Sequence, residues 1–107
     1  MRLKALPSDD RCLFGVASAY ALAGRLEEAV ALEQRLLKQF PNFLGSHLNL
    51  AAIYSELGKD PEARAETAEV LRLNPNFSLE VNRQRESIKD PALLERHIAA
   101  LRKAGLK

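Results

Sequence analysis

The sequence predicts an all-α fold, a solenoid of helical hairpins with two full repeats and a degenerate C-terminal capping hairpin. Three observations predict it. The 107-residue chain says the same thing twice at a spacing of 34, since "YALAGRLEEA" (Tyr20 to Ala29) returns as "YSELGKDPEA" (Tyr54 to Ala63). Apolar residues within each copy recur at spacings of three and four, the period of an amphipathic helix. Glycine and proline punctuate the copies at matching places, Gly24 with Gly58 and Pro7 with Pro41 and Pro75, where helices stop and turns begin.

The shift of 34 also aligns Leu3, Leu37 and Leu71, then Lys4, Lys38 and Arg72, so residues 1–7 read as the stump of a preceding helix. Repeat one, residues 8–41, opens with a helix expected from Asp9 to Ala23. Ser8 or Asp9 is its N-cap, and Gly24 accepts the left-handed conformation of its end. Its partner, Leu26 to Phe40, stops before Pro41. Repeat two, residues 42–75, is expected to hold one helix from Leu44 to Leu57, ended by Gly58. Asp60-Pro61 then offers an N-cap and a first-turn proline for a second helix to Leu73. Residues 76–107 depart from the pattern. Ser78 to Glu86 can form a third first-helix, but no Tyr-x-x-x-Gly follows it. Asp90-Pro91 instead opens an amphipathic helix with Leu94, Ile98 and Leu101 on one face, ended by Gly105. This last unit reads as a cap on the open end of a single domain, and small residues at Ala17, Ala29, Ala51 and Ala63 let neighbouring backbones approach while Tyr20 and Tyr54 fill the gaps.

Composition narrows the function. With 47% hydrophobic and 28% charged residues, the chain has no apolar run of about 18 residues and no basic-apolar-cleavable leader. No membrane partner is expected. The single cysteine, Cys12, has no second thiol to pair with, which points to a reducing, cytoplasmic setting. Net charge is +2 overall, but from Arg83 onward seven Lys/Arg face three acids. That tail has neither an arginine stripe nor aromatic stacking platforms, so nucleic acid is not expected.

No catalytic constellation is present either. His47 and His97 lie 50 residues apart outside any H-E-x-x-H pattern, and no phosphate-cradling glycine loop occurs. His47 reads as a core-edge residue. Asp9-Asp10 and Glu27-Glu28 sit where acids favour helix N-termini. The reading is of a non-enzyme, with no cofactor and no metal.

A 34-residue unit with a small residue, Tyr, Gly, Ala and Pro in this order resembles the tetratricopeptide repeat, over Asp10 to Phe77 plus the stump. The family's early aromatic is replaced by Leu13 and His47. The resemblance implies a concave groove lined by the first helix of each hairpin, in which a protein or peptide binds. Carried over, its positions are Arg11, Phe14, Ser18 and Ala21 in repeat one, Leu48, Asn49, Ala52 and Ser55 in repeat two, and Asn82, Arg83 and Glu86 in the last unit. Some relatives grip acidic chaperone tails with a five-residue carboxylate clamp. Here only Asn49 and Arg83 match it, with Phe14, Ser18 and Leu79 in the other places, so that ligand is not expected.

A narrower resemblance concerns the ending. Lys89-Asp90-Pro91 and Leu101 to Leu106 are similar to the close of bacterial proteins that join an adenylate/guanylate cyclase or related regulatory domain to such repeats. It implies the regulatory or scaffolding C-terminal part of a larger signalling protein. Separately, the stump in register at Arg2 to Pro7 and the open first hairpin lead to the expectation of earlier repeats covering Leu13, Val16, Val30 and Leu37, against a small complete protein whose start tapers or is covered by dimerisation. The alternative is a structural spacer or homo-oligomerisation element, a homodimer in the simplest case.

Overall fold

The computed structural model describes the backbone of residues 8–85 and 88–107, and the side chains of 13–84 and 88–107. The stump at 1–7, Glu86, and the side chains of Arg11 and Cys12 lie outside the described residues. Six helices follow one another among the described residues: α1 (Ser8–Leu22), α2 (Leu26–Gln39), α3 (Leu44–Glu56), α4 (Asp60–Leu73), α5 (Leu79–Arg85) and α6 (Pro91–Lys103). Among the described residues there is no strand, and no helix is long and apolar enough to cross a membrane.

The repeat is visible in the hydrogen bonds themselves. After α1, Gly24 at φ 86° donates to Ala21, and Arg25 donates back to Tyr20 at 2.8 Å. After α3, Gly58 at φ 79° donates to Ser55, and Lys59 to Tyr54, again at 2.8 Å. This pair of bonds closes the last helical turn and needs a residue that tolerates positive φ, which glycine supplies without a Cβ clash. The Phe40-Pro41-Asn42-Phe43 and Asn74-Pro75-Asn76-Phe77 turns also match, each closed by a 3.0 Å bond from its last residue to the carbonyl of its first.

Two N-caps differ from the sequence reading, since Ser8 and Asp9 both lie inside α1 and the cap before α4 is displaced by one residue. Asp60 is already helical and Lys59 stands at the N-cap without a side-chain bond. The reason is the preceding turn: Lys59 is committed to closing α3 through Tyr54, so α4 has to start at the next residue. At Asp90-Pro91 no such turn intervenes, and the Asp90 carboxylate accepts from the Ala92 amide at 2.9 Å.

Packing follows the small residues. Ala17, Ala29, Ala51 and Ala63 are buried where α1 meets α2 and α3 meets α4, and Leu36 and its repeat partner Val70 fill the same place in successive hairpins. Tyr54 is in the core, with its hydroxyl accepting from Gln34 Nε2 at 2.8 Å, which ties α3 to α2. Tyr20 is half-buried and carries the Arg25 guanidinium 5.0 Å from its ring centre.

The last unit does not stack as a third hairpin would. It is α6, not the short α5, that packs against α3, because α5 buries only Leu79 among its described side chains whereas α6 and its end bury Ile98, Ala100, Leu101, Ala104 and Leu106. α6 crosses α3 from the α1 side to the α4 side. Arg96 near its start reaches the Ala21 carbonyl of α1 at 2.9 Å, and the Ala104 carbonyl past its end accepts from Thr67 of α4 at 3.1 Å. Leu79 of α5 then donates to the Lys107 carbonyl at 2.9 Å. The Tyr54→Ala substitution should lower unfolding free energy by about 3 to 5 kcal/mol, as for other buried rings. Urea denaturation measures this, and a loss within the roughly 0.5 kcal/mol of a surface site would refute the packing role of the ring.

Candidate functional site

The surface that α1 and α3 share is built from small residues between larger ones. Ser18, Ala21 and Ala52 leave room, while Phe14, Leu22, Leu48 and Ile53 give apolar walls. Phe14 is held by an edge-on contact with Phe43, ring centres 5.0 Å apart at 71°. It also lies against Gly45, where an added Cβ would stand 3.0 Å from the Phe14 Cζ, so a side chain at position 45 would push the ring away. Residues after α5 close the surface from above: Ile88, Leu93, Arg96 and His97.

Between them remain two adjoining cavities. The larger, about 190 Å³, is bounded by Phe14, Ser18, Leu48, Asn49, Ile88 and His97 among others. The smaller, about 20 Å³, lies under Leu93 and Arg96 toward Ala52 and Glu56.

Asn49 is the polar hinge of this surface. One Nδ2 hydrogen goes to Ser18 Oγ at 3.1 Å and the other to Glu33 Oε2 at 2.6 Å, linking α3 to both α1 and α2. Glu33 is fully buried, and burial pushes its carboxyl from 4.5 up to about 7, against the opposing bonds of Asn49 and Ser46. Its Oε1 and the Ser46 hydroxyl have no hydrogen-bond partner at full bonding geometry among the described residues, although Ser46 is close enough to oppose the rise.

His47, buried beside this network, places Nε2 2.8 Å from the Pro41 carbonyl and Nδ1 2.6 Å from Glu66 Oε1. The carbonyl can only accept, so Nε2 bears the hydrogen of that bond, and Nδ1 is hydrogen-bonded to Glu66. Its role is to tie α3 to α4 and to the preceding turn. Among the described residues no group of three His, Cys, Asp or Glu side chains could hold a metal ion.

The structure brings together Phe14, Ser18, Ala21, Leu48, Asn49 and Ala52 of the residues carried over to the groove. Asn49, expected to orient a partner, spends both amide hydrogens inside the protein. Ser55 is buried and lines neither cavity. Asn82 and Arg83 sit on α5 away from the cavities, and Arg83 is paired with Glu95 of α6. The Arg11 side chain and Glu86 lie outside the described residues.

Sequence reasoning missed Glu33, Ile88, Arg96 and His97. For Glu33 a signal existed: it stands four residues after Ala29 and three before Leu36, on the buried stripe of α2, and its repeat counterpart is the buried Thr67. An acid on an apolar stripe marks a buried polar group that needs partners from neighbouring helices.

The profile of a family described as "Tetratricopeptide repeat" matches residues 20–82. No match is found among curated proteins.

Glu33 yields a pH prediction. A carboxyl raised in the folded state stabilises fully below its unfolded value of 4.5, and that contribution is lost as pH rises through about 7. Wild type should therefore lose up to about 3 kcal/mol relative to Glu33→Gln between pH 4.5 and about 8, by conversion of the shift into free energy. Carboxylates common to both chains cancel in that difference. Parallel denaturation profiles would mean that Glu33 is ionised in the folded protein.

Proposed function

Because this chain belongs to the tetratricopeptide repeat family, whose repeats generally mediate protein–protein interaction, we propose that it binds a peptide or partner domain through the surface between α1 and α3. The carrying observation is the larger cavity: concave, walled mainly by Phe14, Leu48 and Ile88, with polar edges at Ser18, Asn49 and His97. At about 190 Å³ it exceeds the roughly 150 Å³ that admits benzene in an engineered core. It has room for one aromatic or branched aliphatic side chain of a partner. The rest of the expected groove is narrowed by α6, so the contact area is small and affinity should be roughly micromolar.

In this reading the chain is a regulatory or scaffolding module of a larger bacterial signalling protein, cytoplasmic and non-catalytic. The similarity of its tail to such proteins supports that placement. Affinity capture from the source lysate tests the cavity. Ala21→Leu, at the rim of both cavities, should reduce capture about tenfold or more, the equivalent of about 1.4 kcal/mol, with the thermal midpoint within a few degrees of wild type. Capture indifferent to both Ala21→Leu and Phe14→Ala would place the partner elsewhere.

A second reading, a spacer or self-associating element, draws on the outer face of α1. Val16 is 45% exposed, whereas Leu50, its counterpart one repeat on, is 1% exposed against neighbouring helices. That position is built to be covered by another hairpin, from an earlier repeat or a second copy. If copies cover it, light scattering should find a dimer at low micromolar concentration that Val16→Lys converts to monomer. A monomer for both chains would remove the self-associating reading.

A further inference from the structure

The helix that narrows the groove also indicates what the groove receives. α6 is divided along its length. No residue from Pro91 to His97 is buried, while Ile98, Ala100, Leu101, Ala104 and Leu106 are. The second half belongs to the core shared with α3 and α4. The first half lies over the two cavities.

Leu93, Leu94 and His97 are partly buried there, and exposed electrostatic ties add to them. Arg96 Nη2 donates to the Ala21 carbonyl at 2.9 Å and Nε to Glu56 Oε2 at 3.2 Å, while Glu95 pairs with Arg83 of α5. Ala21 is in the last turn of α1, and Glu56 is the last residue of α3. The negative ends of two helices and a carboxylate therefore converge on one place, which favours a cation there. A guanidinium suits it because its planar fork can serve a carbonyl and a carboxylate at once. Exposed pairs of this kind contribute little stability, and the space beneath them is not filled.

We propose that the first half of α6, Pro91–His97, is a built-in stand-in for the partner, and that the partner is an amphipathic helix carrying an arginine at the rim of its apolar face. On binding, the partner's apolar side chain enters the cavity of Phe14 and Leu48, its arginine takes the place of Arg96 between Ala21 and Glu56, and Pro91–His97 swings out while Ile98–Leu106 stays anchored. This rests on the groove reading above and adds the class of ligand and its competitor. Because the competitor is tethered, its effective concentration is about millimolar, and a free helix has to overcome that.

The test uses the full chain and a fluorescent peptide with the sequence of residues 88–97, the segment to be displaced. Hydrogen exchange on wild type should show the amides of Leu94 to Leu101, whose acceptors lie in residues 90–97, opening more readily than those of Arg102 to Leu106, and opening further when the peptide is added. Arg96→Ala in the chain, which weakens the tethered competitor, should tighten peptide binding about tenfold. The same substitution in the peptide should weaken it. Exchange of all of α6 as one unit, no gain in peptide affinity for the Arg96→Ala chain, or unfolding of that chain would each overturn the proposal. The last would show that the first half of α6 cannot be separated from the core. Glu56→Gln takes the carboxylate from the tethered and the incoming arginine alike, so added to the Arg96→Ala chain it should weaken peptide binding, and unchanged affinity there would also overturn the proposal. Capture of a partner that Ala21→Leu abolishes, with α6 protection unaltered by that partner, would keep the groove reading and discard this one.

Discussion

A two-helix hairpin has an apolar side that it cannot bury by itself, and this constraint governs the rest of the molecule. Ala17 against α2 and Ala51 against α4 close each hairpin internally. Leu36, Leu50 and Val70 then require cover from the next element along. α3 receives it on several sides, from α4 within its hairpin, α2 before it and α6 after it. Since burial contributes roughly 25 cal/mol per Å² of apolar surface, stability concentrates on α3, and the flanking elements depend on it. Position in the stack, more than any residue's own propensity, decides that Val16 is open while Leu50 is closed.

Polar groups fix how the layers meet. At equivalent places in successive repeats, Glu33 and Thr67 reach out of the second helix to the next layer, one to the Asn49 amide and the other to the Ala104 carbonyl. Apolar contacts alone tolerate sliding, whereas a buried donor without its acceptor carries a large desolvation cost. The two bonds therefore specify register. They also show why α6 can stand in for a repeat helix: its end meets Thr67 as α3 meets Glu33.

The chain's periodicity made the architecture legible. A spacing of 34 in Tyr, Gly, Ala and Pro located four helices to within a residue, because Gly24, Gly58 and the Phe-Pro-Asn-Phe turn act over only a few neighbouring residues. Asp60 misled because its cap was pre-empted by the turn before it, a competition between two local signals. The site was legible on α1 and α3, where Phe14, Ser18, Leu48, Asn49 and Ala52 do line one surface. It was not legible where long-range packing decides. Nothing near Arg96 in sequence says that it will meet Ala21 and Glu56, and nothing near Arg83 says that α5 will turn toward α6 and leave the groove.

The crossing of α6 over α3 has a consequence for how the protein is made. Arg96 lies 40 residues after Glu56 and 75 after Ala21. A ribosome adding about 5 to 20 residues per second exposes the inner face of α3 for roughly 2 to 8 seconds before its covering helix is even synthesised. The two hairpins can close meanwhile, since their contacts are local and form quickly. During that interval the nascent chain displays an uncovered apolar groove with Glu56 at its rim. Whatever meets it first, a chaperone, another nascent copy or the intended partner, does so without competition from Arg96.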